Sequence, residues 1–483
     1  MEENAALLMN DRISGNRPLP QGPAPRSRLI WLLAASFSLL IVLVIFAPRR
    51  NPEADSRFSA HSSNTSDAGA ALAGGGRRLA RLPNARPAEP APSAEEIVAR
   101  KVVQFGRSRR ELVAKLAERF HQHVPPEVER FFTALEGGRW EEINAAHEAL
   151  LLSKDQFNQP RTDELHHIWR PIQEAWGAAR EAHDWPAQTL LDYGNSVLGS
   201  LRPGMIYAGG TDPGCFIPTM LNETTDGERH IVLTQNALAD GTYLDYLNTL
   251  YGDQMTTLTQ EDSQRAFKEY TTDAQRRLEH DQQFPNEPKQ IRPGENVRMV
   301  DGHVEVTGQV AVMAINEKLF QTLMRNNPGL SFAIEQSFPF KSFYGNTTPL
   351  GPIMELGVQD QNGFSAERAA QSVDYWRATA QQLLSDPALT DGSNPRKAYS
   401  KLVAEQADLF LARNYTAEAE QAFRIANEIC PSSPEAVYRY VNLLVGQSRF
   451  QDAIPVVENA MRSDPGNRQF QNLLTEVQRQ AQR

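Results

Sequence analysis

The chain is poor in cysteine: Cys215 and Cys430 are its only two, far apart in 483 residues. A disulfide framework needs more, so two ordinary thiols are expected, with a single bridge left open. No Cys/His cluster has the spacing of a metal site, so no metal and no cofactor is expected. Positive charge is also short. Lys and Arg number 49 against 59 Asp and Glu, a formal charge of -10. No broad basic face follows from that balance, and nucleic acid is not an expected partner. Nucleotide signatures are missing too: no GxGxxG and no GxxxxGK[ST] occurs, so no phosphate-cradling loop is anticipated. No Ser-His-acid or Cys-His order stands out. His121 and His123 are two apart and His166 and His167 adjacent, spacings that do not share a helix face. No catalytic residue is assigned, and whether the chain is an enzyme stays open.

What the sequence does have begins with one long apolar run. Leu29 to Ala47 is 19 residues without a charge, about 28 Å as a helix, the thickness of a bilayer core. Arg26 and Arg28 flank it before, Arg49 and Arg50 after, and Trp31 sits near one end. No small-residue cleavage site follows, so the run is expected to be an uncleaved single-pass transmembrane helix with the lipid bilayer as a partner. Arginines balance across it, so the short tail and large body alone suggest that the body lies outside the cytoplasm.

The rest divides by composition and periodicity. Residues 1–28 read as a disordered tail and 48–93 as a disordered linker rich in Ala, Gly, Ser, Pro and Arg. Residues 94–200 carry helical periodicity, with Ser93 a cap followed by acids. Residues 201–365 alternate short apolar runs with helical stretches, as in a small α/β domain. Met205 to Ala208 and Arg229 to Thr234 are strand candidates, residues 297–306 a hairpin with Asp301-Gly302 at its turn, and Leu330 to Glu335 a further strand. Pro349 to Pro352 reads as a rigid loop. Residues 366–483 are helical. The expected fold class is thus a mixture of α+β and α/β: transmembrane helix, helical region, small α/β domain and C-terminal α-solenoid.

The stretch MIYAGGTDPGCFIPTMLNE raises the functional question. In α/β folds ligands gather at the carboxyl ends of strands. The first strand ends at Gly209, Gly210, Thr211 and Asp212, and the second at Gln235 and Asn236, with Asp240 beyond. These seven are the candidate ligand-binding residues. The plainer reading of Asp212 is an N-cap, with Pro213 in the first helical position. Trp169, Trp176 and Trp185 read as core.

The end of the chain repeats. Ala407, Phe410, Ala419, Phe423, Ala426 and Pro431 recur 34 residues on as Val441, Leu444, Ala453, Val457, Ala460 and Pro465. Small residues let paired helices approach, and larger ones fill the gap between them. Over residues 400–467 this resembles the tetratricopeptide repeat family. The resemblance implies stacked helical hairpins and a concave face that binds peptide or protein partners, or packs on the chain's own middle part. The Gly209 to Pro218 stretch also resembles a Gly-Asp-Asn-Asp-Thr-Phe-Pro-like stretch in the soluble part of bacterial protein O-mannosyltransferase-like membrane proteins. Those carry many spanning helices where this chain has one candidate, so the resemblance implies a detached soluble part without transferase catalysis. The expected function is a membrane-anchored protein-interaction or scaffold module. The alternative is a sugar- or nucleotide-related binding or transfer unit in envelope glycan assembly.

Overall fold

Helix starts where the sequence supplies a cap. In the computed structural model, which describes residues 91–152, 165–300, 303–357 and 364–482, α1 (Ala94–Arg119) opens on a capping box. The Glu96 amide donates to Ser93 Oγ at 3.2 Å, and the Ser93 amide donates to Glu96 Oε2 at 2.9 Å. Helix α2 (Pro126–Gly137) begins at a proline and ends at Gly138 in the left-handed region. With α3 (Trp140–Leu152), α4 (Trp169–Asp184) and α5 (Ala187–Leu198) it forms a helical layer. That layer buries Phe105, Leu116, Phe131, Phe132 and Leu135. Each such side chain contributes roughly 1.5–3 kcal/mol when fully buried.

This layer packs on the first βαβ unit: β1 (Ile206–Gly209), α6 (Asp212–Glu223) and β2 (Val232–Thr234). A 3-10 turn, α7 (Gly241–Tyr251) and α8 (Gln260–Gln283) follow. A separate hairpin, β3 (Asn296–Val300) and β4 (His303–Thr307), pairs antiparallel; its expected Asp301-Gly302 turn lies outside the described residues. Helix α9 (Gln309–Asn326) leads to β5 (Phe332–Ile334), and a second hairpin, β6 (Thr348–Leu350) and β7 (Ile353–Leu356), closes the sheet. The five strands run β2-β1-β5-β7-β6. The first three are parallel; β7 and β6 pair antiparallel.

Three expectations need correction. Helix makes up 67% of the structure and the sheet is small and mixed, so the fold is mainly helical rather than a mixture of α+β and α/β. The strands span three to five residues, while the chain between them winds into long helices. The Pro349 to Pro352 segment is not a plain loop: Gly351, at φ +56°, turns one strand into the next. This antiparallel return makes the sheet mixed.

The third correction concerns the membrane. Among the described residues no helix is long and apolar enough to cross one. The longest, α1 and α8, are studded with charge. The run at residues 29–47 lies outside the described residues, as do the tail and most of the linker. The single-pass anchor, the bilayer partner and the body outside the cytoplasm are therefore withdrawn.

The C-terminal helices are α10 (Ala366–Ser385), α11 (Asn394–Ala412), α12 (Thr416–Ile429), α13 (Pro434–Gly446), α14 (Phe450–Ser463) and α15 (Arg468–Ala481). Each packs on the next in the chain, and α10 also packs on α12. The spaced residues Ala407, Phe410, Ala419, Phe423, Ala426, Val441, Leu444, Ala453, Val457 and Ala460 are all buried. Helices α10 and α11 also touch the sheet, through β6 and β7. Ser93 to Arg483 falls within a single compact unit.

Candidate functional site

Strand order places the site. From β1 the chain moves to β2 on one side and later returns to β5 on the other. The crevice outside the carboxyl ends of β1 and β5 is therefore the switch point where an open α/β sheet binds ligands. Here the chain fills it. Glu335, the residue after β5, is 1% exposed. Its Oε2 accepts from the Gly210 amide at 2.6 Å and the Thr211 amide at 2.9 Å; Thr211 Oγ1 donates to its Oε1 at 2.7 Å. The first turn of α6 closes on this carboxylate. A Cβ on Gly214 would lie 2.1 Å from Glu335 Oε2, so glycine there admits the chain's own side chain.

Gln235 makes the second seal. It is 0% exposed. Its Oε1 accepts from the Ser337 amide at 2.8 Å, and its Nε2 donates to the Phe338 carbonyl at 2.9 Å. Gln235 and Glu335 thus bind the loops after β1, β2 and β5 to one another. Of the sequence candidates, Gly210, Thr211 and Gln235 come together here, with Gly209 at the end of β1. Asn236 is half-buried in the adjoining 3-10 turn. Asp240 lies apart as the N-cap of α7, accepting from the Thr242 amide at 2.9 Å.

Asp212 is neither sealed in nor a cap. The cap of α6 is Thr211, whose Oγ1 accepts from the Gly214 amide at 3.0 Å. Asp212 occupies the first turn instead, favoured there by the helix dipole. Its side chain is 43% exposed and pairs with Arg180 at 2.8 Å. The Arg180 guanidinium lies 4.8 Å from the Trp176 ring centroid and 6.0 Å from that of Phe216, close enough for cation–π attraction.

Behind the loop lies a buried charge network. Glu174 takes Arg109 and Arg170, each at 3.0 Å, and accepts from the Tyr246 hydroxyl at 2.6 Å. Arg170 reaches on to Thr234 at the end of β2. Cys215 lies in the same region; burial and the neighbouring Glu335 push its thiol pKa up. It is held protonated, the wrong state for a nucleophile. Both cysteines are free. Among the described residues no group of three or more His, Cys, Asp or Glu is arranged to hold a metal ion.

On the far side of Glu335, α11 adds a second polar layer. Glu405, 1% exposed, accepts from the Gln336 amide at 3.0 Å. Gln406 Nε2 donates to the carbonyls of Gly351 at 2.8 Å and Ile353 at 3.0 Å. Burial, then the charge of Glu335, hold the Glu405 pKa well above the carboxylate range. Lys401 faces Glu435 at 3.8 Å, and Asp408 faces Arg439 at 3.1 Å. Sequence reasoning missed Glu335, Arg180 and Glu405. Only Glu335 carried a signal, as an acid at the carboxyl end of an apolar run.

Comparison with known proteins adds no relative: no family model, no curated protein and no solved structure matches this chain.

Proposed function

We propose that the chain is a protein-interaction module built on tetratricopeptide-like hairpins, with the sheet as their platform. The observation that carries this reading is where the polar side chains of α11 go. Glu405 and Gln406 read main-chain groups of Gln336, Gly351 and Ile353. The same helix pairs through Lys401 and Asp408 with Glu435 and Arg439 of α13. Glu435, Arg439 and Asn442 fall on one face of α13 by helical spacing. Contact with the sheet passes through α10 and α11, while α13 is joined to α15 through the Tyr438 hydroxyl and the Gln469 carbonyl at 3.2 Å. A hairpin face that recognises backbone of its own chain at one end is suited to an extended segment of another chain further along. The sealed crevice argues against the sugar- or nucleotide-related alternative, because Glu335 holds the amides that an anion would need.

The test is site-specific photo-crosslinking. A photoreactive residue replaces Asn442 on α13 or Asn472 on α15, with exposed Glu458 on α14 as control. The expected result is one crosslinked partner from both test positions, absent from the control and lost when Arg439→Glu is added. Equal capture at all three positions would overturn the reading.

A further inference from the structure

A cavity of 420 Å³ opens between the start of α1, the end of α5 and the end of α6. None of its lining residues belongs to the crevice or to the C-terminal helices, and its volume is that of a small-molecule site. Its walls are unequal. Ile97, Leu191, Leu198 and Leu221 supply apolar surface from three helices, while Lys101 and His230 supply polar groups. Lys101 Nζ donates to the Thr224 carbonyl at 2.9 Å and to Thr224 Oγ1 at 3.2 Å. An ammonium has three N–H donors, so one more remains for an acceptor. His230 is clamped by its backbone, its amide donating to Asn222 Oδ1 at 2.8 Å and its carbonyl accepting from Asn222 Nδ2 at 2.9 Å. Its ring lines the cavity, and its Nδ1 is buried without a hydrogen-bond partner among the described residues.

One acid, Glu228, also lines the cavity. Glu228 accepts from the Gly204 amide at 3.1 Å, and Asp226 is exposed to solvent. Burial lowers the Lys101 pKa, with Asp226 partly offsetting it.

We propose that this cavity binds a medium-chain monocarboxylate. The alkyl chain lies against Ile97, Leu191, Leu198 and Leu221, and the carboxylate accepts from Lys101 and His230. The size fits one short chain, and the one N–H that Lys101 has left over calls for a single anionic group.

The probes are octanoate, octanol and octylamine, titrated into the whole chain by calorimetry. Octanoate is expected to bind with a Kd of about 1 mM or tighter, and about ten-fold more tightly than octanol or octylamine. Asn195→Trp plugs the lining from an exposed position and should abolish binding without altering the far-ultraviolet circular dichroism. Lys101→Met should bring octanoate and octanol to within about two-fold of each other. Absent binding of octanoate would overturn the proposal. So would equal affinity for all three probes, or undiminished binding by a folded Asn195→Trp variant.

Discussion

Replacing Glu335 removes the group that closes the crevice, and the cost follows from its bonds. In Glu335→Ala the amides of Gly210 and Thr211 lose their acceptor. An unsatisfied buried donor costs about 1–3 kcal/mol, so the two together cost about 2–6 kcal/mol before any cavity forms. Glu335→Gln keeps the shape and one acceptor oxygen but loses the charge. Hydrogen bonds to a charged group are worth about 1 kcal/mol more than neutral ones, so the two amide bonds predict a loss of about 2 kcal/mol. Urea unfolding measures both, read from midpoints at constant slope. The Ala variant should fall furthest, the Gln variant should lie between it and the parent, and neither should change secondary structure before unfolding. An Ala variant within about 0.5 kcal/mol of the parent would refute the reasoning, because surface substitutions alone stay in that range. It would mean that the loop amides find partners without Glu335.

Four other outcomes follow from the same geometry. Thr211→Ala should cost about 1 kcal/mol or more by removing the cap of α6, whereas Asp212→Ala should cost less, its pair with Arg180 being part-exposed; the reverse order in thermal unfolding would restore Asp212 as the cap. Glu405 has a raised folded pKa, so the folded state holds a proton that the unfolded state releases. Stability should fall as pH rises above about 4.5, by at most about 1.4 kcal/mol per pH unit for this one group, and Glu405→Gln should flatten that slope. His147, buried on α3, has the opposite sign. Burial, then Arg180, lower its pKa to about 4, so its contribution is full above about pH 6.5 and is lost as pH falls toward 4, by about 2–4 kcal/mol; His147→Phe should remove that acid sensitivity. Glu174→Ala strands Arg109 and Arg170 and should cost about 3–5 kcal/mol in urea unfolding.

Local signals were legible where one residue decides the outcome. Ser93 capped its helix, Gly138 ended one, and residues 297–306 paired as a hairpin. The β6–β7 hairpin escaped because Pro349 masked a strand, and proline is tolerated on an edge. At the site, Gly210, Thr211 and Gln235 were legible as strand-end residues, but their use was not. What occupies the crevice is a side chain more than a hundred residues away, and composition and spacing carry no such pairing. The cap missed by one residue for a related reason: Thr211 and Asp212 are both good caps, and the pull of Arg180 on Asp212 comes from a distant helix.

Amide hydrogen exchange at Gly210 and Thr211 tests the closed crevice most directly. If Glu335 holds both amides, they exchange as slowly as the strand amides of Tyr207 and Ala208. Their rates then stay unchanged when sugar nucleotides, inorganic phosphate or magnesium are added, and rise in Glu335→Ala. Fast exchange in the free protein, slowed by one of those ligands, would contradict the account and make the GGTDPG loop a ligand site.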